Sequence, residues 1–224
     1  MIQPLQWAAL SHDMKTPLSA IALYNSLLSE MSPDDPERPR FHAIIAGQVR
    51  RLARMTTDLL FDTQSGYKFE ALDAGLLLET TLQLYRELHP QYGFDLILQP
   101  ALPPVRGDQG ALERVLSNVL DNSIKYSSPH TVRIQGIAHG HQVRISITDR
   151  GEGIAPHHQK HLFEARYQVD STRKGHGLGL YITRQIIQAH QGALHIESMP
   201  GRGTAVCIDL PAAHTATLQP SAIS

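Results

Sequence analysis

The sequence lacks several features that would place it quickly. It holds one cysteine, Cys207, so no internal disulfide can form. Cys207 sits in an alternating apolar run, which predicts a buried core thiol and fits a reducing, cytoplasmic setting. No stretch approaches the ~20 apolar residues needed to span a bilayer. Met1–Leu10 has neither the basic start nor the cleavage site of a signal peptide. Any membrane anchoring is therefore expected only through regions upstream of this chain. Charge of one sign is also missing: 20 Lys and Arg face 21 Asp and Glu, a formal charge of −1. Nucleic-acid phosphates demand clustered cations, so DNA and RNA are not expected partners. There is no Gly-Lys pair, which excludes a Walker-type P-loop. Gly175 to Leu180 reads Gly-His-Gly-Leu-Gly-Leu, and Leu180 at the sixth place breaks a dinucleotide fingerprint. His157-His158-x-x-His161 has one-turn spacing but no evident acidic partner, so an exposed loop is expected there rather than a metal site.

What is present fits two domains: 224 residues with 42% apolar content, against a typical ~150 residues per domain. From about Pro4 to Glu30, Leu10, Met14, Leu18, Ile21 and Leu28 recur at helical spacing. Pro33, Pro36 and Pro39 then mark a turn. A second helix is predicted over about 40–64, with Ile45, Leu52 and Leu59 seven apart, Phe41, Met55 and Phe61 supporting them, and Arg50, Arg51 and Arg54 on a solvated face. A lone hairpin half-covers its apolar stripe, so pairing into a dimeric four-helix bundle is the economical way to bury it.

After Ser65-Gly66 the pattern turns mixed. Helices are predicted at 74–88, 110–126 and 178–190, and strands at 94–98, 131–137, 142–149, 193–198 and 204–210. Residues 151–177 read as a mobile loop with a short helical piece, and 213–224 as a disordered tail. The expected domains are thus 1–65, a helical hairpin, and 66–212, a unit of mixed helices and strands.

Within the second domain four elements occur in order. Asn118 and Asn122 lie one turn apart on one helical face, with Lys125-Tyr126 a turn further; asparagine has poor propensity inside a helix, so two of them need a reason. Asp149-Arg150-Gly151-Glu152-Gly153-Ile154 ends a strand with a carboxylate and glycines that permit close backbone approach. Gly175 to Leu180 opens a helix whose N-terminus can receive phosphate. Gly201-Arg202-Gly203-Thr204 makes a tight turn between strands.

These elements, with Ser11-His12-Asp13-Met14-Lys15-Thr16-Pro17-Leu18, resemble the histidine kinase family over about residues 5–211. Ser11 to Leu18 is similar to its phosphoacceptor H box, Glu113 to Ser127 to its N box, and Asp149–Ile154, Gly175–Leu180 and Gly201–Thr204 to its glycine boxes. The resemblance implies a dimeric hairpin and a Bergerat-type α/β sandwich that binds ATP and Mg²⁺ under a flexible lid. It further implies that Asp149 receives the adenine amine and Asn122 ligates Mg²⁺. Asn118, Lys125, Tyr126, Gly151, Gly153, Ile154 and Thr204 would line the nucleotide, and Gly175, Gly177, Leu178, Gly179 and Leu180 would hold its phosphates. His12 is the implied phosphoacceptor, with Asp13 orienting its ring and Thr16 placed to position a hydrolytic water. Pro17 removes a backbone donor just past the site and should bend the helix there. The partner implied is a response-regulator receiver aspartate.

Asn118 occupies the place where ATP-hydrolysing relatives carry a water-activating glutamate, which favours transfer to histidine. The lid departs from the pattern: Phe163 begins the F box, but Arg166 replaces its second phenylalanine and Gln168 its arginine. The phosphate-facing cation would then come from Arg166, Arg173 or Lys174. His176 in the phosphate turn reads as a spacer. An ATP-binding dimeric scaffold or sensor with a degenerate lid is the alternative. A serine kinase or ATPase on the same fold ranks last, because it leaves the H box unexplained.

Overall fold

The computed structural model describes the backbone of residues 4–60, 66–128, 130–170 and 177–213, and within these ranges the side chains of 14–49, of Leu52 and from Gly66 onward. The chain divides into two compact units, Met1–Gly66 and Tyr67–Ser224.

The first unit is a helical hairpin of α1 (Pro4–Glu30) and α2 (Arg38–Leu60). The inner face of α1 differs from the predicted stripe. Pro17 and Leu28 are buried, Ile21 and Tyr24 half-buried, at alternating spacings of four and three, whereas Leu18 is 52% exposed. Tyr24 meets Phe41 edge-on, with ring centroids 5.1 Å apart. The second helix starts two residues earlier than expected, because a proline (Pro39) is tolerated in a first turn where its missing N–H has no helical partner. Arg38 closes the hairpin: its Nη1 donates to the carbonyls of Leu28 (2.9 Å) and Met31 (3.3 Å), the free acceptors at the end of α1. The expected roles of Leu10, Arg50, Arg51, Arg54, Met55, Leu59 and Phe61 rest on side chains outside the described residues.

The second unit contains β1 (Glu70–Leu72), α3 (Ala74–Leu88), β2 (Gly93–Leu98), β3 (Val105–Gly107), α4 (Gln109–Lys125), β4 (Thr131–His139), β5 (Gln142–Thr148), α5 (Pro156–Gln159), α6 (Gly179–Ala189), β6 (Ala193–Met199) and β7 (Gly203–Pro211). Five strands form a mixed sheet in the order β2-β4-β5-β7-β6, with only β2 and β4 parallel. Period-two alternation aims Val132 and Ile134, Val143, Ile145 and Ile147, and Val206, Ile208 and Leu210 at one face, where all are buried. Against that face lie α3, α4 and α6, α4 packing on both others. Leu112, Val115, Leu116, Val119 and Leu120 of α4, each at most 2% exposed, fill the centre. Burying a side chain of this kind contributes about 1.5–3 kcal/mol. The fold is thus an α/β sandwich with one open sheet face.

Cys207 corrects an expectation. With Val206 and Ile208 turned inward, the pleat turns Cys207 outward, half-buried and 3.5 Å from Ser146 Oγ on the open face. Asp209 shares that face and is clasped by Arg144 of the neighbouring strand through bonds of 2.7 and 2.8 Å, which hold its carboxyl below the usual range. The two three-residue strands, β1 and β3, pair with each other and were not foreseen, being too short to alternate. The proposed tail beyond Ala213 lies outside the described residues.

One polar node ties the sandwich together. Asp108 caps α4, its Oδ1 accepting from Ala111 N at 2.9 Å, while its own N–H donates to His190 Nε2 at 3.0 Å. His190 Nδ1 lies 2.8 Å from Ile186 O, so the proton sits on Nδ1 and the ring is neutral. Tyr67 and Phe69 cover it at 5.1 and 4.8 Å, and burial lowers its pKa from 6.5. The unfolded chain therefore takes up this proton first as pH falls. The contribution is whole above about pH 6.5 and is lost progressively below it, until the lowered native value is passed. Urea unfolding should show a lower midpoint at about pH 5 than at pH 7.5, and His190→Gln should remove part of that difference.

Candidate nucleotide-binding site

The elements singled out in the second unit converge through backbone hydrogen bonds. Asp149, 8% exposed at the end of β5, is the hub. Its Oδ1 accepts from Gly151 N (2.8 Å) and Thr204 N (3.1 Å), and its own N–H donates to Thr204 O (2.9 Å). Glu152 N donates to Tyr126 O at 3.2 Å, joining the loop to the end of α4. Asp149 Oδ2 takes no bond among the described residues. A carboxylate oxygen only accepts, so this atom is available to a donor from outside the chain.

Three glycines make the convergence possible. A Cβ on Gly151 would lie 2.5 Å from Tyr126 O, one on Gly153 2.0 Å from Met199 O, and one on Gly203 2.1 Å from Asp149 O. Gly153 and Gly203 also have φ of +69° and +90°. Ile154 N donates to Ser198 Oγ at 2.8 Å; Ser198 in turn donates to Gly203 O at 2.9 Å and accepts from Thr204 Oγ1 at 2.8 Å. Gln159 Nε2 on α5 donates to the carbonyls of Ile154 (2.8 Å) and Ser198 (2.9 Å).

On α4, Asn118 Nδ2 donates to Gly179 O (3.2 Å) and Thr183 Oγ1 (3.3 Å), fixing the first turn of α6. Leu178 and Leu180, flanking Gly179, are half-buried at that helix start. Lys125 Nζ donates to Tyr126 Oη at 2.8 Å. The Asn122 side chain is half-buried and has no hydrogen bond among the described residues, which leaves its carbonyl oxygen for a hard cation such as Mg²⁺. At the lid, Arg166 adopts φ +67° and donates its N–H to Gly177 O at 2.9 Å, while Gly177 has φ +64°. Phe163 lies under the Arg184 guanidinium at 5.4 Å. His158 Nδ1 meets Tyr167 Oη at 2.6 Å and His161 Nδ1 meets Glu164 at 2.7 Å.

Some candidates stay apart or out of view. Gly175, His176, Arg173 and Lys174 lie outside the described residues, as do the side chains of His12 and Asp13 on α1. Thr16 is exposed on α1, in the other unit. Sequence reading missed Ser198, Gln159 and Thr183. Ser198 had a signal: it holds an inward register position on β6 after Leu194 and Ile196, where an apolar residue is expected.

Residues 107–214 match the model of the histidine kinase-, DNA gyrase B- and HSP90-like ATPase family, and residues 5–67 match the His kinase A phospho-acceptor domain. The solved mycobacterial sensor histidine kinase MprB is 30% identical and superposes with a TM-score of 0.57, over 97% of its chain and 64% of this one. The chain belongs to the histidine kinase family. Full-length ShkA, solved in complex with AMPPNP, is 27% identical with a TM-score of 0.71, over 95% of this chain and 46% of its own. The adaptive-response sensory kinase SasA of Synechocystis is 31% identical over 91% of this chain and 58% of its own length. This histidine kinase-family chain thus spans a little over half of that curated relative.

Glycine 203 gives the sharpest test of the cradle, since φ and space both forbid a side chain. Gly203→Ala should destabilise the second unit by about 3 kcal/mol or more, read from the denaturant midpoint, whereas Gly201→Ala, with nothing within 4 Å of its Cβ position, should cost less.

Proposed function

We propose that this chain is a protein-histidine kinase that autophosphorylates His12 from Mg-ATP and passes the phosphoryl group to a response-regulator aspartate. In this reading residues 1–65 dimerise and carry the acceptor, and 66–212 bind the nucleotide. The observation that carries it is Asp149: one carboxylate oxygen is held by two backbone donors, and the other is left open as an acceptor for an exocyclic amine. A ShkA complex with the ATP analogue AMPPNP supports the same ligand here.

The residues divide the work. Gly151, Gly153, Ile154 and Thr204 form the floor that receives the base. Asn118, Lys125 and Tyr126 line the nucleotide, and Gly177, Leu178, Gly179 and Leu180, with Gly175, offer backbone N–H groups to its phosphates. Asn122 would hold Mg²⁺, which neutralises phosphate charge when bound. A His12 ring nitrogen attacks the γ-phosphorus, the bond to the ADP oxygen breaks, and Asp13 orients the ring and takes up its proton. Asn118 cannot act as a base at its position on α4, which favours transfer to histidine over transfer to water. Thr16, exposed on its helix, positions a water for dephosphorylation of the partner. The exposed Leu18, Leu23 and Val49 of the hairpin favour burial against a second copy in a four-helix bundle. A weak ATP-binding scaffold is the alternative, favoured by Gln168 and by the commitment of the Arg166 backbone to Gly177.

Incubation with labelled Mg-ATP should give an acid-labile, base-stable phosphoprotein. His12→Gln should abolish the label, and Asp149→Asn should weaken nucleotide binding at least ~10-fold. Label persisting in His12→Gln refutes the acceptor assignment. Nucleotide binding without any transfer favours the scaffold.

A further inference from the structure

Four successive backbone N–H groups, from Asp149 to Glu152, are hydrogen-bonded at the centre of the site, and one of them has an unusual acceptor. Asp149 N donates to Thr204 O, Gly151 N to the Asp149 carboxylate and Glu152 N to Tyr126 O. Arg150 N instead donates 2.9 Å to Nε2 of His130, a residue just ahead of β4 and outside every element assigned above. His130 Nδ1 lies 2.6 Å from Ser128 O. Because Nε2 accepts, the proton must sit on Nδ1 and be donated to Ser128, so the geometry requires neutral imidazole. The ring is further placed by Gly93 N, which donates to His130 O at 3.1 Å, and by Tyr92, 6.1 Å away and edge-on.

We propose that His130 is a positioning residue for the nucleotide site, holding Arg150 N–H so that Asp149 keeps its open oxygen aimed outward, and that its protonation releases this hold and weakens nucleotide binding. The inference rests on the nucleotide-binding reading above. Proton uptake from solvent turns Nε2 into a donor, placing N–H against N–H, and the Arg150 amide loses its acceptor. Asp149 stays bonded to Gly151 and Thr204, so the effect is a loosening of the loop rather than its collapse. The titratable or charged groups beside His130 on the elements packed around it are Tyr92, Asp95, Lys125, Tyr126, Arg133, Asp149, Arg150 and Glu152; Asp95 and Arg133 pair with each other at 3.2 Å. Tyr92 Oη is committed to the carbonyls of Ile124 (3.0 Å) and Ser127 (3.1 Å), and Lys125 to Tyr126 (2.8 Å).

The experiment is calorimetric titration of the full chain with Mg-AMPPNP at about pH 8 and pH 5.5, for the wild type, His130→Gln and His130→Ala. Loss of one hydrogen bond predicts about a fivefold weaker wild-type affinity at the lower pH. His130→Gln carries an amide oxygen near the Nε2 position, so it should bind like the wild type at pH 8 and lose that part of the pH dependence. His130→Ala should bind about fivefold more weakly at both pH values. A His130→Gln profile that parallels the wild type, or His130→Ala binding as tightly as the wild type at pH 8, overturns the proposal. No wild-type binding at either pH overturns the nucleotide reading instead. Should a variant fail to fold, the Arg150 amide resonance of the ¹⁵N-labelled wild type decides: it should shift with the His130 ring as pH falls, and an amide indifferent to that titration overturns the proposal.

Discussion

The second unit is organised around a carboxylate that is half spent. Asp149 uses one oxygen to receive Gly151 and Thr204, which locks the end of β5 to the start of β7. Those bonds orient the group without any ligand, and a carboxylate fixed in advance has less side-chain freedom left to lose. Everything nearby serves the close approach that this requires. Gly203 backs so closely onto Asp149 O that a Cβ would lie 2.1 Å from it, and one on Gly153 would lie 2.0 Å from Met199 O. The glycine boxes are thus first a packing device.

The sheet with one open face supplies the rigid background. Its inner face and α4 form a dry core, and the site is built at the edge of that core from strand ends and helix ends. Polar groups there are bonded in chains: Gln159 to Ile154, Ile154 to Ser198, Ser198 to Gly203, and Thr204 back to Asp149. Such chains fix geometry strongly when complete and cost much when broken. Asn118 extends the same logic to α6 by fastening Gly179.

Legibility in the sequence followed the length scale of the signal. Helices α4 and α6 and the long strands were plain, because their periodicity persists over many residues. The hairpin face was misjudged at Leu18, since a stripe of apolar residues in a helix hides two neighbouring faces until a partner selects one. Cys207 was placed inside because apolar neighbours surround it, yet the pleat puts Val206 and Ile208 inward and leaves Cys207 between them facing out. Strands β1 and β3 exist only through each other and carry no local pattern. The boxes around Asn118, Asp149 and Gly203 were readable through residue types at odds with their elements. His130 and Gln159 were not, because one polar side chain in a loop or short helix contradicts nothing.

The bond from Arg166 N to Gly177 O joins two points eleven positions apart and brings the ends of the intervening segment together. Next to this clasp Tyr167 is held as well, its N–H by Glu164 O at 3.3 Å and its Oη by His158 Nδ1 at 2.6 Å. The clasp tolerates only glycine at its far end: a Cβ on Gly177 would lie 2.5 Å from Arg166 C and 2.6 Å from Tyr167 O, so any side chain there would prise the two stretches of backbone apart.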